Sequence, residues 1–147
     1  MTTLNRPMPE RPAAGRECGT CTACCSVLAV AELQKPARWA CDHLLCSGCG
    51  IYESRPQSCR DFNCAWLRGE IAGDESQRPD RLGVLFDFFF STAAKKNRFV
   101  ALELWNGAFD EASAAAVLCE IAASREVELS YRDGTWRTIG TTVKVDQ

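Results

Sequence analysis

Apolar and polar positions alternate most clearly in the second half of the chain. In residues 82–91, Val84, Phe86, Phe88 and Phe90 fall on one side of an extended backbone, with Leu85, Asp87 and Phe89 on the other. That period of two predicts a β-strand with one strongly apolar face. Residues 99–105 repeat the pattern, with Val100, Leu102 and Leu104 set against Glu103, and the polar run 92–98 between the two segments predicts a hairpin. Residues 109–124 change period. Asp110 and Glu111 stand where a helix N-terminus favours acids, and Ala112, Ala115, Ala116, Cys119 and Ala122 recur at helical spacing. This predicts an amphipathic helix with Cys119 as a small core residue. Residues 126–131 and 135–139 flank Arg132-Asp133-Gly134, whose glycine suits the positive φ of a tight hairpin turn. The expected order is ββαββ, a mainly antiparallel four-stranded sheet with one helix on a face.

The first half lacks such periodicity. Residues 1–16 are polar and carry Pro7, Pro9 and Pro12, which predicts a disordered or loosely attached arm. Residues 27–39 form a short apolar segment stopped near Pro36, and residues 69–80, with Gly73, Asp74 and Pro79, read as a linker or surface loop. Between residues 18 and 67 the large apolar side chains are few and scattered. Something other than an apolar core must order that region.

Cysteine supplies the candidate. Nine of the ten cysteines fall in the 47 residues from 18 to 64, opening with Cys18-Gly-Thr-Cys21-Thr-Ala-Cys24-Cys25. Gaps of two residues let successive thiolates turn towards one ion while backbone N–H groups stabilise the sulfur charge. Cys24 and Cys25 are adjacent, and neighbouring side chains diverge, so two centres are more natural than one. Structural zinc can contribute on the order of 10 kcal/mol, comparable with the stability of a small domain. Cys18, Cys21 and Cys24 also match the first three ligands of the C-x2-C-x2-C run of bacterial ferredoxins, which favours iron slightly over zinc. Five disulfides are the competing use of ten cysteines, but no apolar run of the secretory kind precedes Cys18, and a reduced, cytoplasmic setting is expected.

The pattern continues through Cys41-Asp-His43-Leu44, Cys46-Ser-Gly-Cys49-Gly-Ile-Tyr52 and Tyr52-Glu-Ser-Arg55-Pro56-Gln-Ser-Cys59-Arg60-Asp61-Phe62-Asn-Cys64. Together these residues resemble the CxxCxxCC zinc- or iron-chelating family of YkgJ-like cysteine-cluster proteins, over roughly residues 16–67. Cys49-Gly-Ile-Tyr52 departs slightly from the family spacing. The resemblance implies eight ligands, Cys18, Cys21, Cys24, Cys25, Cys41, Cys49, Cys59 and Cys64, holding an iron–sulfur cluster or zinc. Cys46 and Cys119 fall outside it. His43 is expected to hydrogen-bond through its ring to a ligand sulfur or a carbonyl. Arg55 and Arg60 offset thiolate charge or pair with Glu53 and Asp61.

The remaining features narrow the function. A formal charge of −2 and a pI near 5.5 give no electrostatic case for nucleic acid or an anionic membrane surface. No apolar run spans a bilayer. One histidine leaves no second imidazole for acid–base work, and no glycine-rich phosphate loop or nucleophile elbow is present. The expected organisation is an arm (1–16), a cysteine-cluster module (17–68), a linker (69–80) and an α+β unit (81–147) packed on the module. The expected role is non-catalytic metal handling, sensing or electron transfer, with a metal ion and a protein partner as its ligands. Flagellin lysine N-methylases carry a similar cluster in a longer chain, so the alternative is protein lysine N-methylation.

Overall fold

Short cysteine-bearing turns precede the sheet. The computed structural model describes residues 13, 15–18, 21–45, 48–91 and 95–140. In chain order these form α1 (Ala23–Val27), a 3-10 turn at Ala31–Leu33, the two-residue strands β1 (Leu44–Leu45) and β2 (Gly48–Cys49), and α2 (Gln57–Asp61). Then come α3 (Pro79–Leu82), β3 (Val84–Ser91), β4 (Lys96–Glu103), α4 (Ala112–Ala122), β5 (Val127–Ser130) and β6 (Trp136–Ile139). The fold is α+β.

The larger sheet has the order β3-β4-β5-β6. β3 and β4 pair antiparallel from Val84↔Glu103 to Ser91↔Lys96, so β4 begins inside the polar stretch 92–98 that was expected as the connection. β4 and β5 are parallel, with Ala101 opposite Leu129, and a parallel neighbour needs a crossover, which α4 supplies. β5 and β6 close as a hairpin through residues 131–135, where Gly134 has φ +95° and Thr135 N donates to Asp133 Oδ1 at 2.9 Å.

Register decides what each face carries, because partners across a ladder share a face. Val84, Phe86, Phe88, Phe99, Ala101, Val127 and Leu129 form one face. Phe99 stacks on Phe86 at 5.6 Å and tilts on Phe88 at 4.8 Å, and Arg125, just past α4, lies over both Phe88 and Phe99. Glu103 also belongs here and is buried, its carboxylate accepting from the Arg132 N–H at 2.9 Å and the Phe109 N–H at 3.3 Å. The opposite face is not polar. Leu85, Asp87, Val100, Leu102 and Ser130 are buried on it and turn towards the first half of the chain.

The helix corrects the expected stripe. Ala112, Ala115, Ala116 and Cys119 are exposed, while Ala114 and Leu118 are buried and Val117 and Ile121 pack on the core. Both stripes have helical period, but the second carries larger apolar side chains and therefore gains more from burial. Cys119 is thus a surface thiol. The helix proper starts at Ala112, after a 3-10 turn at Ala108–Asp110, and Glu111 binds the exposed Trp105 Nε1 at 3.1 Å instead of capping.

Residues 69–80 carry buried Ile71, Arg78 and Pro79, and a capping box in which Asp74 and Gln77 exchange hydrogen bonds. Trp66 is 2% exposed, donates from Nε1 to Asp74 O at 3.0 Å, and lies beneath the Arg16 guanidinium. Arg16 donates to the carbonyls of Trp66, Ile71 and Gly73, and the Ala13 N–H to Leu67 O at 2.8 Å. Of the arm expected over residues 1–16, residues 1–12 and 14 lie outside the described residues, while Ala13 and Arg16 are tied to residues 66–73 by these bonds. The outer edge of β3 is covered where the Ala65 N–H donates to Phe86 O at 2.9 Å, removing part of an open strand edge.

Candidate metal centre

Four stretches bring the pattern cysteines together. The first is a turn in which the Cys21 N–H donates to Cys18 O at 2.8 Å, followed by α1, which carries Cys24 and Cys25. The second is docked onto the first, because the Cys41 N–H donates to Cys25 O at 2.9 Å. A small hairpin then returns Cys49 beside Leu44, closed by Gly50 N–H to His43 O at 2.7 Å. Its tip contains Cys46, which lies outside the described residues. The third stretch, α2, presents Cys59 after Pro56 and is tied back to the 3-10 turn by Ser58, whose N and Oγ donate to the Glu32 carboxylate at 3.2 and 2.7 Å. The fourth holds Cys64, buried against Ala65 and Trp66.

All of these except Cys64 line one open cleft of about 1330 Å³ between the cysteine turns and the sheet. Phe89, Val100, Leu102 and Trp136 form its sheet-side wall. None of the nine described cysteines is in a disulfide.

The thiols act on one another. Burial pushes Cys21 up to about 12 and Cys64 up to about 11. Cys24 is raised by its hydrogen bond to Cys25 and by burial, and the same bond lowers Cys25, aided by Lys35 and Arg55. Cys18 is raised by burial against the pull of Arg55 and Arg78. Cys59 is raised first by burial, then by Cys25, Glu32, Cys41 and Cys49. Backbone amides oppose these costs. The Ala23 and Asp80 N–H groups favour the Cys21 thiolate, those of Trp66 and Leu67 favour that of Cys64, and the His43 N–H donates to Cys41 Sγ at 3.4 Å.

His43 therefore contributes through its backbone amide, where a ring contact was expected. The Arg60 guanidinium donates to the backbone carbonyls of Arg55 and Glu53, each at 2.9 Å, and its expected pairing with Asp61 falls on a side chain outside the described residues. Arg55 lies over the Tyr52 ring at 3.9 Å with Nε on Tyr52 O, and its field reaches Cys18 and Cys25.

Two cations at the cleft carry more than the sequence suggests. Lys35 is 8% exposed, and its ammonium donates to Leu28 O and Pro36 O while facing Cys41, Cys25, Cys24 and Cys59. Its available signal was an isolated lysine at the end of an apolar segment. Arg38, at φ +72°, donates to the carbonyls of Glu103 and Ser130 and to Ser130 Oγ, clamping the cysteine half onto the ends of β4 and β5. Nothing in a one-dimensional pattern pairs residues 38 and 130.

Among the described residues, Arg16, Lys35, Arg38, Arg55 and Arg60 line the cleft with their hydrogen bonds directed to backbone carbonyls and a serine hydroxyl. The charge of Lys35 and Arg55 reaches the cleft thiols, while Arg38 lies near the Glu103 carboxylate and Arg16 near that of Asp74. The donor set suits a thiophilic metal, since sulfur ligands with N–H support and cationic surroundings favour the thiolate form. In this arrangement the thiols are neighbours without converging: among the described residues no three Cys, His, Asp or Glu side chains enclose a point where an ion would sit. No protein-family profile, curated protein or solved structure matches the chain. Among the described residues no helix is long and apolar enough to cross a membrane.

Proposed function

We propose that the chain is a metal-binding cysteine-cluster protein, of the YkgJ-like type its motifs resemble. It holds an iron–sulfur cluster or zinc through Cys18, Cys21, Cys24, Cys25, Cys41, Cys49, Cys59 and Cys64. Its role on this reading is non-catalytic, in metal handling, sensing or electron transfer within the cytoplasm, with a protein partner as recipient or source. Residues 17–68 are the metal-binding module, and the ββαββ unit of residues 81–147 supports it.

One observation carries the reading. Seven of the eight thiols, Cys64 apart, line one cleft together with Lys35, Arg55 and Arg60, whose side chains, among the described residues, donate to backbone carbonyls. Thiolates produced by a metal ion give these cations a counter-charge within the cleft. The backbone amides at Cys21, Cys41 and Cys64 orient the sulfurs, and burial of Cys21 and Cys64 keeps water from competing for them. Bound iron–sulfur would supply one-electron transfer, while zinc would supply a closed structural site. Iron is preferred on the spacing of Cys18, Cys21 and Cys24.

Anaerobic purification and reconstitution, followed by metal analysis, visible absorption and electron paramagnetic resonance, tests the reading. A coloured, reducible protein with stoichiometric iron is expected. Colourless protein with bound zinc would replace iron by zinc, and a folded chain with no stoichiometric metal, or with its thiols oxidised to disulfides, would overturn the reading.

A further inference from the structure

The cleft is larger than a metal ion needs: its volume of about 1330 Å³ exceeds the ~300–1,000 Å³ typical of a small-molecule pocket. Its lining is also charged in one sense. Among the described residues six cations line it against a single acid, Glu17, in a chain whose formal charge is −2. The positive charge is therefore segregated into the cleft, which composition alone does not produce.

Four of the six cations are committed within the fold. Arg98 is held by the Glu128 carboxylate, Arg38 by Ser130 and Glu103 O, and Arg16 by carbonyls of residues 66–73, while Lys35 is buried. Arg55 and Arg60 differ. Arg55 is fixed over the Tyr52 ring at 3.9 Å and uses only Nε, on Tyr52 O. Arg60 uses Nε on Arg55 O and one terminal nitrogen on Glu53 O. Among the described residues the other terminal nitrogens of both have no partner. Guanidinium groups held by nearby carbonyls offer donors to a carboxylate without first breaking an ion pair.

The sheet side of the cleft is apolar. Val100 and Leu102 line it with half-buried Phe89, and Trp136, 54% exposed, stands on the same face of the sheet. An exposed tryptophan beside a cleft is the kind of anchor that carries binding energy. Extended peptides present alternate side chains to opposite sides, so one running between the cysteine turns and the sheet meets arginines with one set and the apolar wall with the other.

We propose that this cleft docks an extended segment of a partner protein in which acidic and apolar residues alternate, its carboxylates on Arg55 and Arg60 and its apolar side chains on Trp136 and the wall of Val100 and Leu102. The proposal gives a chemistry to the protein partner of the reading above, but the contacts it uses include no thiol, so it stands apart from metal binding. Single-stranded RNA would use the same arginines and leave the aliphatic wall unmatched.

Fluorescence anisotropy of a dye-labelled peptide alternating glutamate and leucine, titrated with the reduced full chain, tests this. Metal content is measured on the same sample. The peptide is expected to bind about tenfold more tightly than a lysine–leucine peptide or a polyglutamate peptide of the same length, and more weakly as salt is raised. Arg55→Gln with Arg60→Gln should weaken it about tenfold, and Arg55→Lys with Arg60→Lys should recover part of that loss. Trp136→Ala, at an exposed position, should weaken it without disturbing packing, whereas Arg81→Gln, an exposed cation outside the cleft, should leave it unchanged. Circular dichroism verifies the fold of each variant. No binding by wild type, equal affinity for the control peptides, equal loss in Arg81→Gln, or tighter binding of a single-stranded RNA would overturn the proposal and leave metal binding intact. Peptide binding by folded protein that takes up no metal would support the docking site and overturn the metal reading alone.

Discussion

At the residue scale, a buried ammonium such as that of Lys35 is costly unless anions share its surroundings. Burial lowers its pKa while Cys41, Cys25, Cys24 and Cys59 pull it back up, so the lysine and the thiolates stabilise one another's charged forms. Lys35→Met should weaken zinc binding by about tenfold, equivalent to about 1.4 kcal/mol, and Lys35→Arg should recover part of that. Competition against a chromogenic chelator measures it, and an unchanged affinity in folded Lys35→Met would remove the counter-charge role. Cysteines differ just as sharply. Cys21→Ser is expected to lower the metal content of purified protein, whereas Cys119→Ser, at the exposed face of α4, should leave it unchanged. Equal losses in the two would contradict the division between ligand and bystander thiols.

At the element scale, the packing of α4 is decided by which of two helical stripes buries more area. Ala114, Val117, Leu118 and Ile121 face the sheet, and the alanine stripe faces water. Leu118→Ala should therefore cost about 2–5 kcal/mol, while Ala115→Ser should stay within about 0.5 kcal/mol. Denaturant midpoints at constant m-value read this directly. Comparable losses would restore the stripe that includes Cys119 to the core. The crossover itself also matters, because α4 is what allows β4 and β5 to lie parallel with Arg98 held by Glu128 across the pair.

At the scale of the whole molecule, the proposed metal would add to the apolar core in ordering the cysteine half. The sheet and α4 share an apolar core containing Phe86, Phe99, Val127 and Leu118, which Val27, Trp66 and Leu67 of the cysteine half join, while residues 31–61 add no buried apolar side chain to it. Arg16 and Arg38 tie the halves together through backbone carbonyls of residues 66–73 and of β4 and β5. Metal removal by an anaerobic chelator should abolish amide-exchange protection in residues 21–45 and 48–64 while β3, β4 and β5 keep most of theirs. Uniform loss across the chain would mean one cooperative unit instead.

Much of this was legible in one dimension. Period-two alternation located the strands, Asp133-Gly134 located the last hairpin, and cysteine spacing singled out the thiols that share the cleft, because each of these depends on residues close in sequence. Tertiary structure decided what depends on distant partners. The apolar face of Val100 and Leu102 was visible, but not that it would wall a cysteine-lined cleft. The alanine stripe of α4 was as periodic as the true core stripe, and only the sheet beneath it chose between them. Neither Lys35 nor Arg38 is marked out by the one-dimensional pattern; the fold sets one among four thiols and the other on Ser130. Local backbone geometry reads out of neighbouring residues; burial, charge compensation and the grouping of sulfurs arise only when segments far apart in the chain are packed together.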